Sequence, residues 1–587
     1  MRLPVAALLA LILFSPSTFA AVSVGTSDGN GICDYTTVAA ALASGDSEIR
    51  LVNNFFKENI TINHAVTMTG GFSNCNHANA GAPDPSGETY LDGTANPGYS
   101  VIKVNLADTL VILKNFFIYS ASYDASVPNG GHGILVDGGR GSLTVIESYI
   151  YNNEAAHGGG IHVTSAIGQE KNVNLIDSQV FNNDATGGAG GMGLGGGIYC
   201  AGEGGRVAVT GPQGMVAGNE AYRGGGIYAS NGCTVWLTSG FSNMASSSSR
   251  GVMNNKASNH GGGVYLLNES KLFMNPTVSG LPLNVIIGDN DRPATLAKNS
   301  AGGDGGGVYA DQSSRIDITD SLIHGNSAAG NGGGIYAQVG SQVTVRPSGY
   351  ECWSEQACNR FSENTANQGG AVNLYLTDAL KDFQFTDFIG NRANQGTVMY
   401  VTAPVSPTEP VSVFASTMYH NGNAGTGDWS DFDMFVLESG TSLWATHVTV
   451  ADNSVAANRN VFWSNNSQVT LRHSIFQHSE TILRETGSAS NSHQCLVVSD
   501  DTGLIAGDTY VTATPGFVDP AGDNFDLKPD SIAVDLCAHL IGGDDKDGDP
   551  RGLDIKVKPN VAGTTDAGAD EYNDFDLVFK DGYEDEA

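Results

Sequence analysis

The hydrophobic residues of this chain fall in short alternating runs, not in helical stripes. Ile49-Arg50-Leu51-Val52, Ile60-Thr61-Ile62 and Val66-Thr67-Met68 open the series, and Leu143–Ile146, Val173–Ile176 and Arg315–Thr319 continue it. Period-two alternation over so few residues predicts half-buried strands, too short for helices and too regularly spaced for α/β units. A second pattern punctuates the first. Gly158-Gly159-Gly160-Ile161 is followed by copies at Gly195–Tyr199, Gly224–Tyr228, Gly261–Tyr265, Gly305–Tyr309 and Gly332–Tyr336, and by a weaker one at Gly369–Val372. Upstream of each copy stands an asparagine: Asn153, Asn183, Asn219, Asn255, Asn299, Asn326 and Asn364, with Asn391, Asn421 and Asn453 extending the series where glycines thin out. Successive asparagines lie 27 to 44 residues apart, a period that marks a solenoid.

One repeat cannot bury its apolar side alone, whereas stacked repeats share a continuous core. Asparagine tolerates the left-handed conformation at tight bends, and stacked amides hydrogen-bond from coil to coil. Glycine supplies positive φ and close backbone approach, and the Ile or Val after it becomes the inward residue of the next strand. The expected fold is all-β, a parallel β-helix over residues 49–572. Thr37 before the alanine-rich Val38–Ala43 predicts a short helix, so residues 21–48 read as an N-terminal helical cap over the open end of the stack. Residues 73–95 read as loop, and 573–587 as an acidic C-terminal tail.

Residues 1–20 have the plan of a secretory signal: Arg2, an apolar run Val5–Phe14, and Thr18-Phe19-Ala20 as a cleavage site near Ala20. That run is short for a bilayer, and no later segment reads as a transmembrane helix. The expected location is therefore secreted or at the outer cell surface. Glycine contributes 77 residues, roughly twice the usual share of ~7%. The formal charge of −33 disfavours nucleic acid, anionic membrane and any polyanionic substrate lacking a bridging cation. A monomer is expected. Eight cysteines in an exported chain imply disulfides. Local pairing gives Cys33–Cys75, Cys200–Cys233, Cys352–Cys358 and Cys495–Cys537, with Cys200 and Cys233 about one repeat apart.

Asp545, Asp547 and Asp549 place three carboxylates at alternate positions beside Gly548, the kind of oxygen cluster that calcium takes. Lys556 stands where the closing bidentate acid of a calcium loop belongs, so a solvated acidic loop is the competing reading. Tyr199, Tyr228, Tyr265, Tyr309 and Tyr336 align as a column. Exposed, it would stack on sugar rings; beside the core, it would be structural. No Ser/His/Asp set, P-loop or dinucleotide motif stands out. No catalytic or cofactor-binding residue is assigned.

Phe361-Ser-Glu-Asn364 followed by Gly369-Gly-Ala-Val372, with a second FxxN at Phe388–Asn391, resembles the repeats of polymorphic outer-membrane proteins. The stretch from Tyr35 to Gly71 is similar to the entry of right-handed parallel β-helix proteins of the pectin-lyase-like superfamily. Pro515–Asp519, Asp526–Pro529, Ser531–Asp535 and Asp566–Glu571 resemble the ends of exported bacterial β-helix proteins. The resemblance, over about residues 30–572, implies a right-handed helix. Polymorphic outer-membrane proteins end in a membrane barrel, and no barrel-length segment follows the repeats here, so self-transport is not expected. Gly131-His132-Gly133-Ile134 resembles an element of β-helix polygalacturonases, which implies a catalytic histidine. No Asp-Asp precedes it, and it occupies a triplet position, so His132 reads as a turn residue. Lyases of the superfamily imply calcium-binding aspartates with a basic residue, and Asp311, Arg315, Asp317 and Asp320 are the nearest cluster. Arg315 and Asp317 share a face, where a plain cross-coil ion pair competes.

Three functions follow, in order. The first is a non-catalytic surface protein for adhesion, or binding of a polysaccharide or cell-surface glycan, suited by a regular repeat with no break for a cleft. The second is a polysaccharide lyase or glycoside hydrolase, whose cleft would fall at the insertions 236–300 or 340–362. The third is a structural spacer.

Overall fold

The computed structural model describes residues 21–572 apart from 27–30, 82–86, 128–129, 186–190, 239–250, 276–293, 339, 348–358, 376–378, 405–408, 423–432, 456–458, 479, 505–508, 539–543, 547–550 and 553–562. The chain winds as a right-handed parallel β-helix. A representative coil runs along Gly141–Ile146, bends at Glu147 (φ 48°), runs on through Tyr149–Tyr151, and bends again at Asn152 (φ 52°). The glycine triplet then turns the chain into Ile161–Thr164 on the opposite sheet. Each strand pairs in parallel with its counterpart one coil on: Leu143 with Val173, Ile150 with Val180, Ile161 with Ile198. A third, narrow sheet stacks two- to four-residue strands just after the asparagines, from Asp184–Ala185 to Arg392–Gln395. In the later coils the first two pieces fuse into long bent strands, such as Ser442–Ala451 and Gln468–Gln477. Ile, Val, Leu and Phe from the inward positions form one continuous buried core along the axis.

The asparagine column is a hydrogen-bonded ladder. Asn153 donates from its backbone N–H (3.1 Å) and its Nδ2 (3.0 Å) to the Asn183 Oδ1, and the same double bond repeats at every step to Asn421 and Asn453. Each Nδ2 also reaches a carbonyl of the coil before, as Asn183 does to Ile150 (3.0 Å). Asn183 to Asn421 are at most 1% exposed, so every donor and acceptor that the ladder satisfies is shut off from water. The triplet has a different job at each glycine. Gly158 is left-handed (φ 65°), while a Cβ on Gly159 would lie 2.5 Å from the Asp184 carbonyl and one on Gly160 would lie 2.6 Å from a Val180 methyl. The first glycine turns the chain; the other two let consecutive coils close on each other.

The helix Val38–Ser44 caps the entry. Thr37 accepts from the Ala40 N–H, and Val38, Ala41 and Leu42 are buried. The cap is not purely helical, since Val22–Val24 precedes it and pairs in parallel with Ile49–Leu51. Within the stretch expected as loop, Cys75–Ala80 is a helix, because Asn74 caps its start and Gly81 (φ 71°) closes its end. Cys33–Cys75, Cys200–Cys233 and Cys495–Cys537 are disulfides; Cys352 and Cys358 lie outside the described residues.

The far end differs from a solenoid running to 572. Stacking stops at Tyr510–Thr512, and Phe517–Asp519 pairs antiparallel with Asn524–Leu527. Phe517, Phe525, Leu527, Val534 and Tyr572 then cover the outward residues Tyr419, Ala451, Ile475 and Val497 of the last coils. The segment 517–572, in its described residues, folds back over the first sheet, because those outward positions are apolar there and need a cover. Among the described residues no helix is long and apolar enough to cross a membrane.

Candidate functional site

The tyrosine column does form, and it faces outward from the second sheet. Tyr199, Tyr228, Tyr265, Tyr309 and Tyr336 stack with centroids 4.7 to 5.5 Å apart and nearly parallel planes. It is not an exposed platform. Tyr228, Tyr265, Tyr309 and Tyr336 are 3 to 9% exposed, and at three coils the residue before the triplet folds over the ring of a following coil. His157 stacks on Tyr199 (5.5 Å), His260 on Tyr309 (4.8 Å), and the Arg223 guanidinium sits 5.6 Å from the Tyr265 ring centre. Burial pushes the Tyr336 hydroxyl up to about 12. Of the two readings of this column, the structural one holds.

His132 is a turn residue. It is 1% exposed, its Nδ1 lies 2.9 Å from the Gly158 carbonyl, and its neighbour Ile134 pairs with Ile161, so His132-Gly133-Ile134 occupies the triplet position. Arg315 and Asp317 do pair (2.6 Å), but within one strand, not across coils, because residues two apart on a strand share a side. The Arg315 guanidinium also lies 5.7 Å from the Phe273 ring centre. Asp311 and Ser314 are joined in the turn before that strand, and Asp320 is buried at the bend after it, so the four residues do not converge. Asp545 is fully buried, where one carboxylate oxygen accepts the Glu571 N–H (2.9 Å); Asp547 and Asp549 lie outside the described residues.

A concavity that no repeat announces lies at the N-terminal end of the second sheet. Its floor is the outward column Thr61, Lys103, Leu135, His162 and Tyr199, which are in direct register from coil to coil. Its walls come from segments that break the repeat, with Asn59 from one turn, Asn96, Tyr99 and Ser100 from the next, and Val127 and Gly130 from the one after. The space measures about 780 Å³. Asn59 stiffens one wall, donating to the Ser100 carbonyl (3.0 Å) and accepting from the Asn96 N–H (2.9 Å).

The groove has a defined charge state. Lys103 and Asp137 are paired at 3.1 Å, each about half exposed, so the pair itself adds little stability. The Gly138 N–H beside Asp137 holds its carboxyl below the usual range, which keeps it ionised. Burial, then the nearby His132, pushes His162 down to about 3, and burial also lowers His157. Both imidazoles are neutral at pH 7. The His162 Nδ1 lies 3.1 Å from the His157 carbonyl, so that nitrogen carries the proton and donates. Tyr99 is 56% exposed at the rim. One carboxylate, one ammonium, two neutral imidazoles, amides and hydroxyls thus border two aromatic rings. That inventory suits a ligand rich in hydroxyl groups. Among the described lining residues Asp137 is the only carboxylate.

Sequence reading missed this groove because it looks for departures at the long insertions, and the groove's walls are short. A usable signal was present: Lys103, Leu135 and His162 stand where later coils carry tyrosine. Residues 320–338 match the Chlamydia polymorphic membrane protein repeat. The match covers part of one coil, from the strand Ser321–His324 through Asn326 and the triplet to Ile335–Ala337, and leaves out its strand Arg315–Thr319. No curated protein matches the chain. The protein is a parallel β-helix that is similar over residues 320–338 to the polymorphic membrane protein repeat.

Proposed function

We propose that this is an exported surface protein whose N-terminal groove holds a glycan without cleaving it. The observation that carries the reading is the groove itself, a polar concavity with aromatic rims and a single carboxylate on an otherwise covered solenoid face. A repeat of a kind named for membrane proteins, the signal-like residues 1–20 and the acidic composition support a position outside the cell. The resemblance of Tyr35–Gly71 to pectin-lyase-like proteins supports a saccharide as ligand.

The test is retention of the protein from residue 21 onward on immobilised plant, algal and bacterial polysaccharides, with calcium and with chelator. At least one glycan should retain it, and Tyr99→Ala should weaken that retention about tenfold, since an exposed rim aromatic contributes contact with little structural role. New reducing ends or unsaturated products in the same samples would replace the binding reading with a hydrolase or lyase. Absence of both retention and cleavage would leave the spacer.

A further inference from the structure

A second surface on the first sheet is built from outward rings. Phe55, Tyr90, Phe117 and Tyr149 stack in register on four consecutive coils, with centroids 4.3, 4.8 and 4.7 Å apart. Two residues along the same strands, Tyr119, Tyr151 and Phe181 form a parallel column at 5.3 and 5.1 Å. Unlike the tyrosines of the second sheet, these rings are open: Phe55, the terminal rung, is 64% exposed and the others are half-buried. Further along, the same two columns hold Gln179, Met215 and Gly251, and Ala217 and Met253. The aromatics are thus a local addition, not a property of the repeat. Exposed aromatic patches of this kind mark interaction surfaces.

The opposite end of the same sheet shows what such a surface accepts. There the outward Tyr419, Ala451, Ile475 and Val497 are covered by the chain's own C-terminal segment, with Phe525 set 5.2 Å from the Tyr419 ring. The cover is polypeptide, and its contacts are apolar side chains laid against outward side chains of stacked strands. Over the first coils no described residue plays that part. The border of the bare rings is acidic: Glu88 and Asp92 flank Tyr90 on its strand, Tyr90 donates its hydroxyl to Glu88, and Glu147 precedes Tyr149. Two cations stand on that border as well: Lys114 is paired with Glu147 at 3.3 Å, and the exposed Lys57 follows Phe55 by two residues, so Glu88 and Asp92 beside Tyr90 carry the acidic character. A second copy of a chain with charge −33 is repelled by such a border.

We propose that the aromatic ladder is the docking surface for a cationic segment of another polypeptide, one that sets aliphatic or aromatic side chains on the rings and Lys or Arg against Glu88 and Asp92. The site is separate from the groove, which lies on the other sheet. Panning a phage library of random short peptides on the protein from residue 21 tests it, with the variant Phe55→Ser/Phe117→Ser/Tyr149→Ser panned in parallel. Enriched peptides should combine basic with apolar residues. Their synthetic forms should bind the unaltered protein at least about tenfold more tightly than either the triple variant or Glu88→Gln/Asp92→Asn, and Tyr99→Ala should leave that affinity unchanged. If the triple variant melts early, Phe55→Ser alone, at the most exposed rung, takes its place. Peptides without basic residues, affinity indifferent to the rings, or neutral glycans as the sole ligands lost on ring removal would each overturn the proposal.

Discussion

Asn219→Ala is expected to unseat the centre of the solenoid. Asn219 is fully buried; its Oδ1 accepts the Asn183 N–H (2.9 Å) and Nδ2 (3.0 Å), and its own Nδ2 donates to the Val180 carbonyl (3.0 Å) and the Asn255 Oδ1 (2.9 Å). Truncation strands two donors of Asn183 and one carbonyl in a space closed to water. Each stranded buried group costs about 1–3 kcal/mol, so the loss should reach roughly 3 kcal/mol or more. Asn219→Asp should be no better, since the carboxylate sets an acceptor against the Val180 carbonyl. Asn453→Ala, at the half-buried end of the ladder, should cost less. Denaturant midpoints and amide exchange at Asn183 and Lys256 measure these effects. An Asn219→Ala protein within about 0.5 kcal/mol of the original would show that the ladder is ornamental.

The second large effect concerns the C-terminal cover. Its carboxylates hold backbone amides: Asp566 accepts from Asp535 (2.8 Å) and Tyr572 (2.7 Å), Glu571 from Gly552 (2.6 Å) and Asp566 (3.0 Å), and Asp570 from Leu527 (2.7 Å). Arg551 stands among them with no side-chain exposure, 3.7 Å from Glu571 and donating to the Ala569 carbonyl (2.6 Å). Arg551→Met should destabilise the cover by about 3–5 kcal/mol, because it leaves buried carboxylates without their cation. Burial, reinforced by Glu571, pushes Asp566 up to about 8, against about 3.9 in an unfolded chain. Between those values the folded state holds the extra proton. The stability tied to that proton is therefore complete below pH ~4 and lost as pH rises through about 8. His447 works the other way: burial lowers it well below its usual value, so its contribution is present above about 6.5 and lost as pH falls. From pH ~6.5 to 8 the His447 contribution is already complete while that of Asp566 is being lost, and protection of the Asp535 and Tyr572 amides should fall by up to about 2 kcal/mol once intrinsic exchange is corrected. Protection that rises over this interval would refute the assignment.

The fold was legible because the same constraint recurs in every coil. Asn219 means the same thing as Asn255, and the glycines after each mean the same thing again, so a period alone identifies the ladder and the turn. The tyrosine column was half legible. Alternation places Tyr265 and Tyr309 outward, but their cover comes from the pre-triplet residues Arg223 and His260, which only the turn's fold-back brings there. Arg315 and Asp317 were read as sharing a face, while the choice of partner within the strand or across coils is a matter of side-chain reach. The groove escaped because its walls, at Asn96 to Ser100 and at Val127 and Gly130, belong to no repeat. The open ladder had a signal, since Phe55, Tyr90, Phe117 and Tyr149 recur at intervals close to those of the asparagines; register, not composition, reveals it.

The stacking direction also sets how this protein carries tension. Its inter-coil hydrogen bonds point along the long axis, so a pull between the two ends loads one rung at a time instead of many in parallel. Under such a load the molecule lengthens by shedding coils in sequence, beginning at whichever end is weaker. Cys200–Cys233 joins positions 33 residues apart in adjoining coils, and that loop cannot pay out whatever happens on either side. A tether between surfaces built this way yields in steps and keeps a covalently closed segment at its middle.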